Sequence, residues 1–342
     1  MTLEDRIIAS LYGMATGDAL GVPSSFLTPG EIKATWGWID TFHPPKPGHI
    51  FHDGLSAGEV TDDTEQALAL INAFEKTGKV NPYDIVEEIL KWADRVQGKY
   101  VSPLGPSTER ALKAIRAGSD IHESGRLGNT NGSAMRIAPV GLIHGQLDTS
   151  MEALVADVYQ TCIPTHNTTV CVASAAAIAA AVCYALRGYS INEIVNEAAA
   201  ASEIGKQYGY PIASANIAKK IQFAVSLVEG KSDRKAALSE LYDYFGGGDL
   251  AQDSIPIALA LFVLGDGNVK DVNELAVNLG GDCDTNAAMA GAIAGAYSGM
   301  ATVPNEWIET VERVNSIDMQ RYQQKLIKIA SRWSISEEGP QL

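Results

Sequence analysis

The run NTTVCVASAAAIAAAVCYAL, Asn167 to Leu186, carries no charge over twenty residues. It has two places to go: across a bilayer, which takes about 20 predominantly apolar residues, or into the middle of a folded helical domain. Its bulk is alanine and its beginning is rich in hydroxyls, a poor match to hydrocarbon, so a central buried helix is the better reading. A second run, LGGDCDTNAAMAGAIAGAYSGM from Leu279 to Met300, repeats the small-residue character. Alanine and glycine let helix backbones approach closely, as the centre of a large bundle requires, and the two runs are expected to be neighbours in the core.

Helical periodicity continues from end to end. Helices are expected over 3–20, 63–77, 82–96, 107–117, 132–144, 150–162, 168–187, 191–206, 213–229, 233–244, 254–264, 270–278, 285–299, 304–314 and 317–331. Alternating β runs are scarce and no strand–helix alternation suggests a parallel sheet, so the class is all-α. Phe42 to Gly54 is a proline- and glycine-rich loop and Tyr244 to Asp253 a glycine-rich one, but neither reads as an interdomain linker. Without a fixed-period repeat, the 342 residues are expected to form one domain over 1–342.

The 26 basic and 41 acidic residues give a formal charge of −15, a field that repels phosphate backbones and anionic lipid. Nucleic-acid and membrane partners are not expected. The four cysteines form no C-x-x-C pair and lie in apolar or small-residue stretches. With no export signal in MTLEDRIIAS, a reducing cytoplasm is the expected location.

Acidic residues crowd two helix starts. In GEVTDDTEQALAL, Gly58 to Leu70, one acid would suffice for a cap, with Asp62 capping and Glu65 completing a capping box. Thr61, Asp62 and Asp63 instead set three oxygen side chains side by side. Asp282, Asp284 and Thr285 repeat the excess after Gly280-Gly281. Within a helix Asp282 and Asp284 would diverge by about 200°, but an extended turn before the helix lets both face one side. If the four carboxylates converge, they must raise their pKa values or hold a cation between them. A cation is the simpler solution, and an all-oxygen set suits Mg²⁺, Mn²⁺ or Ca²⁺ over zinc or copper.

The ordered segments GDALGVP (Gly17–Pro23), VTDDTEQAL (Val60–Leu68), NGSAMRIAPVGL (Asn131–Leu142), PTH (Pro164–His166) and GGDCDTNAAMAGAIAGA (Gly280–Ala296) resemble the motifs of the ADP-ribosylglycohydrolase family. The resemblance covers most of the chain. It implies an all-helical fold and a centre of two Mg²⁺ or Mn²⁺ ions with Thr61, Asp62, Asp63, Asp282, Asp284 and Thr285 as ligands. It further implies hydrolysis at the anomeric carbon of a ribose, with Asp63, Asp282 or Asp284 taking a proton from water. Asp18, Asn131, Gly132, Ser133, Met135 and His166 fall on the substrate side by the same match. The implied partner is an ADP-ribosylated protein or a small ribosylated metabolite. Alternatives are a nucleoside or small N-riboside hydrolase, an inactive binding relative and a two-metal phosphoesterase.

Several segments have plainer readings. GNTNGSAMR, Gly128 to Arg136, reads either as a loop entering a helix whose amides meet a phosphate or ribose or as a turn capped by Ser133, and Arg136 as the partner of a phosphate or of an internal acid. Gly17-Asp18 reads as a helix C-cap, and His166 as a hydrogen-bonded structural histidine. HIFHD, His49 to Asp53, has two histidines at a spacing that suits metal only on a helix, while its flanks say loop. Gly246–Gly248 lacks the residues of a phosphate loop and reads as a flexible loop near the pocket.

Two departures from the family pattern stand out. Serine occupies the PSSF stretch, Pro23 to Phe26, where many relatives carry a glutamate. Pro103-Leu104-Gly105 stands where many carry an aspartate before the glycine. Both acids belong to the substrate side in relatives that remove ADP-ribose from proteins. Glu59, Glu109 and Asp53 are the acids available to substitute.

Overall fold

Helix starts follow the capping chemistry of the sequence: Thr2, Asn81, Ser150, Asn216, Asp233 and Asn268 each accept a backbone N–H with the side chain. Thr28 and Ser190 form full capping boxes with Glu31 and Glu193. The computed structural model describes residues 1–98 and 104–337, the last four as backbone alone.

The helices are α1 (Leu3–Gly21), α2 (Pro29–Trp36), α3 (Asp62–Thr77), α4 (Pro82–Val96), α5 (Pro106–Arg116) and α6 (Ile121–Ser124). A central set follows: α7 (Ala138–His144), α8 (Met151–His166), α9 (Thr169–Leu186), α10 (Ile191–Gly205) and α11 (Ile217–Val228). The last are α12 (Arg234–Phe245), α13 (Ala251–Leu264), α14 (Val269–Val277), α15 (Cys283–Ser298), α16 (Asn305–Asn315) and α17 (Met319–Glu337). Among the described residues only isolated bridges, Leu27 with Gly281, Thr130 with Leu250 and Thr168 with Tyr210, break the all-α rule.

The uncharged run forms α9 and lies inside the protein, 89% buried, surrounded by α7, α8, α10, α13 and α15. One large apolar core extends from Ile7 to Trp333, with Val22 and Leu55 forming a small separate cluster. The longest shared seam joins α1 to α15. There, a Cβ on Gly13 would stand 2.1 Å from the Gly291 carbonyl oxygen, and one on Gly295 would meet the Ala9 carbonyl at the same distance. Only glycine permits this approach. The seam ends where α1 carries Asp18 and α15 carries Asp284.

Three expectations about helices need correction. The segment 132–144 is not one helix but a 3-10 turn, Asn131–Ser133, followed by α7. A continuous helix would set Pro139 in its interior, without an N–H and against the Met135 carbonyl, so the helix restarts with Pro139 in its first turn. Helix 150–162 continues through Pro164 to His166; Ser124 Oγ donates to the Pro164 carbonyl at 2.6 Å and Asn167 N–H to Gly125. Gly17-Asp18 does not end α1, which runs to Gly21. Gly17 serves close packing, since a Cβ there would lie 2.5 Å from the Ala287 carbonyl. Helix α2, with its proline start, was absent from the periodicity reading.

Candidate active site

Thr61, not Asp62, is the N-cap of α3, and Glu65 turns away to accept from Trp92 Nε1. The acids of this start are therefore not spent on capping. Asp282 holds the N-cap position of α15 yet makes no capping bond. Its Oδ2 accepts from Asn131 Nδ2 at 2.6 Å and its Oδ1 from Thr285 Oγ1 at 3.1 Å. The turn before it exists because Gly280 and Gly281 sit at φ +98° and +77°. A Cβ on Gly281 would lie 2.1 Å from the Gly247 carbonyl, which itself accepts from Asp282 N–H at 2.6 Å. The triple-glycine loop is thus locked against the aspartate turn, where the sequence suggested a flexible loop.

The two starts open on one cavity of about 250 Å³. Asp62, Asp63, Asp282, Asp284 and Thr285 line it, with Asn131, Gly132 and Met135 on another wall. Asp63 Oδ2 lies 3.0 Å from Thr61 Oγ1 and 3.4 Å from Thr285 Oγ1, while its buried Oδ1 has no hydrogen-bond partner. Burial, followed by the charges of Asp18, Asp62, Asp284 and Asp282, raises the Asp63 pKa well above the usual carboxylate range. Burial and the Asp284 charge do the same to Asp282. Asp62 is pushed up to about 7 by burial, then by Asp284 and Asp18.

Asp284 goes the other way. Burial alone would raise it, but the hydrogen bond and charge of His52, with a bond from Ser25, hold its carboxyl well below the usual range. His52 Nε2 lies 2.8 Å from Oδ2 and Ser25 Oγ donates to Oδ1 at 2.7 Å. His49 fixes this corner: its Nδ1 accepts from the His52 N–H at 3.1 Å, so Nε2–H donates to the Ser25 carbonyl at 3.0 Å. Sequence reasoning set His49 and His52 in a loop and did not find their ties to the Ser25 carbonyl and to Asp284. The PSSF serine that stands in place of an acid is a donor to Asp284, and Phe26 beside it lines the cavity with Phe51.

Four residues assigned to the site stand behind its wall. Asp18 is fully buried: its Oδ2 accepts from Thr64 Oγ1 at 2.6 Å and Thr61 N–H at 3.0 Å, and its Oδ1 lies 2.8 Å from Thr61 Oγ1. It braces α3 and is held at a pKa of about 6, raised by burial. Thr61 Oγ1 is taken up by Asp18 and Asp63 and does not line the cavity. Ser133 directs its hydroxyl to the Cys171 carbonyl at 3.4 Å, away from the cavity, because the 3-10 turn points it into the core. His166 is completely buried between Thr130 Oγ1 at 3.1 Å and Thr165 Oγ1 at 2.7 Å. Burial, then Arg136 and Arg110, lowers its pKa well below the ordinary value.

Arg136 is also sealed in, donating to Gln66 Oε1 and Thr165 Oγ1 rather than to a phosphate or an acid. Of the possible substitute acids, Glu109 lines the cavity, and Asp53 and Glu59 do not. Asp249, which no motif flagged, lines it as well, its pKa raised by burial. Leu104 and Gly105 reach the rim, whereas Ser102 and Pro103 lie outside the described residues.

The donor set is hard oxygen throughout, and a buried carboxylate oxygen without a donor, in a group of like charges, is the situation a divalent cation relieves. The fit is good in chemistry but not closed: among the described residues no three acidic, histidine or cysteine side chains form a ready cage. Five of the six expected ligands share the cavity.

The sequence pattern described as ADP-ribosylglycohydrolase matches residues 1–339. The uncharacterized protein YegU of Escherichia coli strain K12 is 35% identical over 95% of the chain and 97% of its own length. The ADP-ribosyl-[dinitrogen reductase] glycohydrolase of Rhodospirillum rubrum is 25% identical over 96% and 98%. A solved structure titled ADP-ribosylglycohydrolase-related protein complex superimposes with a TM-score of 0.71 at 25% identity, covering 96% of this chain and 99% of that one.

Proposed function

The chain belongs to the ADP-ribosylglycohydrolase family, a family of glycosidic-bond hydrolases, and from that premise we propose that it cleaves a ribosyl C1 bond at the carboxylate-lined cavity with two Mg²⁺ or Mn²⁺ ions. The observation that carries the reading is the meeting of two acid-rich helix starts around Asp63 Oδ1, a buried acceptor with no donor. Asp62, Asp63, Asp282, Asp284 and Thr285 would hold the ions, with Thr61 as the sixth ligand after turning from Asp18. When bound, such ions polarise a ribose diol and activate water.

The chain's own groups do the rest. Asn131 and Thr285 hold both oxygens of Asp282, and Ser25 and His52 hold both oxygens of Asp284, so these carboxylates are oriented. Asp63 keeps one oxygen without a hydrogen-bond donor, which suits it to take the proton of the attacking water. The anomeric carbon passes through an oxocarbenium-like state, which the surrounding carboxylates stabilise. Gly132 and Met135, both buried, also line the cavity.

The four free buried cysteines accord with a reducing compartment, and a cytoplasmic location is part of the proposal. The substrate is an ADP-ribosylated protein or a related ribosylated compound. The test is a mass-spectrometric assay of a mixture of ADP-ribosyl peptides and small ribosides, run with Mg²⁺ or Mn²⁺ and with chelator. Release of a free ribosyl product that chelator abolishes is the expected result. Turnover unaffected by chelator, or absent on every substrate with both ions, would overturn the reading.

A further inference from the structure

Arg136 is a fully buried guanidinium that meets no carboxylate directly among the described residues. Burial lowers its pKa to about 10, so it stays charged at neutral pH. A buried charge without an ion-pair partner is costly and needs strong hydrogen bonds in return. Arg136 donates to Gln66 Oε1 and, at 2.7 Å, to Thr165 Oγ1. From each of these acceptors a buried hydrogen-bonded path leads to one of the two acid-rich helix starts.

The first path is short. A guanidinium only donates, so it takes the carbonyl side of the Gln66 amide and turns the NH₂ side away. Gln66 Nε2 then donates to Asp62 Oδ2 at 3.3 Å. Without the arginine the amide could turn either end to Asp62, and the carbonyl end would repel it.

The second path runs through His166. Burial, then the Arg136 charge, keeps the imidazole neutral, so it carries one proton. Thr165 Oγ1 accepts from Arg136, and its own proton is directed at His166 Nδ1, 2.7 Å away. At the other end Thr130 Oγ1 donates to Ser107 Oγ at 3.0 Å and therefore accepts from His166 Nε2–H at 3.1 Å. The two ends of the ring agree on the Nε2–H tautomer. Gly132 lies against the ring, and a Cβ there would stand 2.8 Å from His166 Cε1. Thr130 leads directly into Asn131, whose Nδ2 donates to Asp282 Oδ2 at 2.6 Å.

We infer that Arg136 is a positioning residue for both helix starts: through Gln66 it aims a donor at Asp62, and through Thr165, His166 and Thr130 it holds the turn from which Asn131 reaches Asp282. Two carboxylates from distant segments are thus oriented by one buried cation that touches neither. The consequence for metal binding rests on the proposed reading of these aspartates as ligands; the hydrogen-bond directions do not. Partners that orient a ligating carboxylate are worth about 10–100-fold in metal affinity.

Two measurements without turnover test this. The first needs no metal: the six histidines are labelled with nitrogen-15, the imidazoles are read by long-range proton–nitrogen correlation, and His166 is assigned by its loss in His166→Gln. The wild type should show His166 as the neutral Nε2–H tautomer. Arg136→Met should let the Nδ1–H form become populated, as should Thr165→Val, which cuts the same path and keeps the buried charge. Arg136→Lys retains charge and donors and should restore the wild-type spectrum. The second is titration with Mn²⁺ followed by electron paramagnetic resonance. Gln66→Met keeps the side-chain length but loses the donor to Asp62, and should weaken Mn²⁺ binding on the order of ten-fold with the His166 signals unmoved. A wild-type His166 in the Nδ1–H form, an Arg136→Met spectrum identical to the wild type, or Gln66→Met binding Mn²⁺ as tightly as the wild type would overturn the inference. A wild type that binds no Mn²⁺, with a His166 spectrum that responds to Arg136 as expected, would sink the metal reading and leave the positioning role standing.

Discussion

His52 Nε2 and Asp284 Oδ2 lie 2.8 Å apart, 232 residues distant in sequence and both nearly excluded from solvent. The contact ties the proline- and glycine-rich loop to the head of α15. Removing one member of a buried pair leaves the other charge uncompensated, at a cost of about 3–5 kcal/mol. His52→Ala should therefore lower the unfolding free energy by about that amount in chelator, measured by urea titration at pH 7. A loss below about 1 kcal/mol would mean that the pair is not what holds the loop.

Asp18 accepts bonds from both Thr61 and Thr64 and does not line the cavity. Asp18→Asn must aim an amide N–H at one of these donors and lose charge-assisted bonds worth about 1.5–3 kcal/mol each. The expected result is faster hydrogen exchange at the amides of Thr61 to Thr64, with α9 unchanged. Unaltered protection there would remove Asp18 as the brace of α3.

The acidic cluster makes a prediction of opposite sign. Asp63 and Asp282 have raised pKa values in the fold. Their favourable contribution is full below the ordinary carboxylate pKa and is lost as pH rises through the folded values. Without divalent ions, Asp63→Asn should thus raise the melting temperature at pH 7.5. With 100-fold excess of Mg²⁺ over its dissociation constant the wild type should gain about 2.7 kcal/mol, and the variant far less. A variant destabilised in chelator, or a wild type indifferent to both Mg²⁺ and Mn²⁺, contradicts this.

His166 sets an acid-side dependence. Its folded pKa lies well below the ordinary value of about 6.5, chiefly through burial, so the unfolded chain binds the proton more readily. Its contribution is present above pH 6.5 and is lost as pH falls toward the depressed folded value, with a slope approaching about 1.4 kcal/mol per pH unit. His166→Gln should flatten the stability profile between pH 6.5 and 5, whatever it does to absolute stability. Parallel profiles for the two proteins would mean the histidine is charged in the fold.

The all-α class and the buried position of Asn167 to Leu186 were legible because periodicity and composition act locally. So was the excess of acid at two helix starts: Asp282 occupies an N-cap without capping, so the spare chemistry visible in the sequence is spare in the fold. What was hidden depends on contacts between distant segments. Nothing near His52 announces Asp284, and Asp249 reaches the cavity only because Asn131 N–H bonds its carbonyl, drawing the two loops together. The hydroxyl directions of Ser133 and Thr61 were hidden for the inverse reason: a motif gives residue order, while the turn and the local donors decide which way a hydroxyl points.

The glycine seam between α1 and α15 should tolerate no thickening. Gly291→Ala sets a methyl 2.2 Å from the Gly13 carbonyl, a backbone atom that cannot rotate aside. The expected loss is about 3 kcal/mol, at the upper end for overpacking, read by thermal unfolding. A change of a few tenths would mean that the seam can open.

That seam also imposes a timetable. During synthesis α1 leaves the ribosome early, and about 260 residues follow before α15, a delay on the order of 13–50 s at about 5–20 residues per second. Throughout it, the small-residue face of α1 lacks the helix it was shaped for, and Asp18 has Thr61 and Thr64 to grip but no Asp284 beyond them. The acids of the cavity are therefore kept apart until nearly the whole chain exists, and the like charges of the two helix starts meet only at the end.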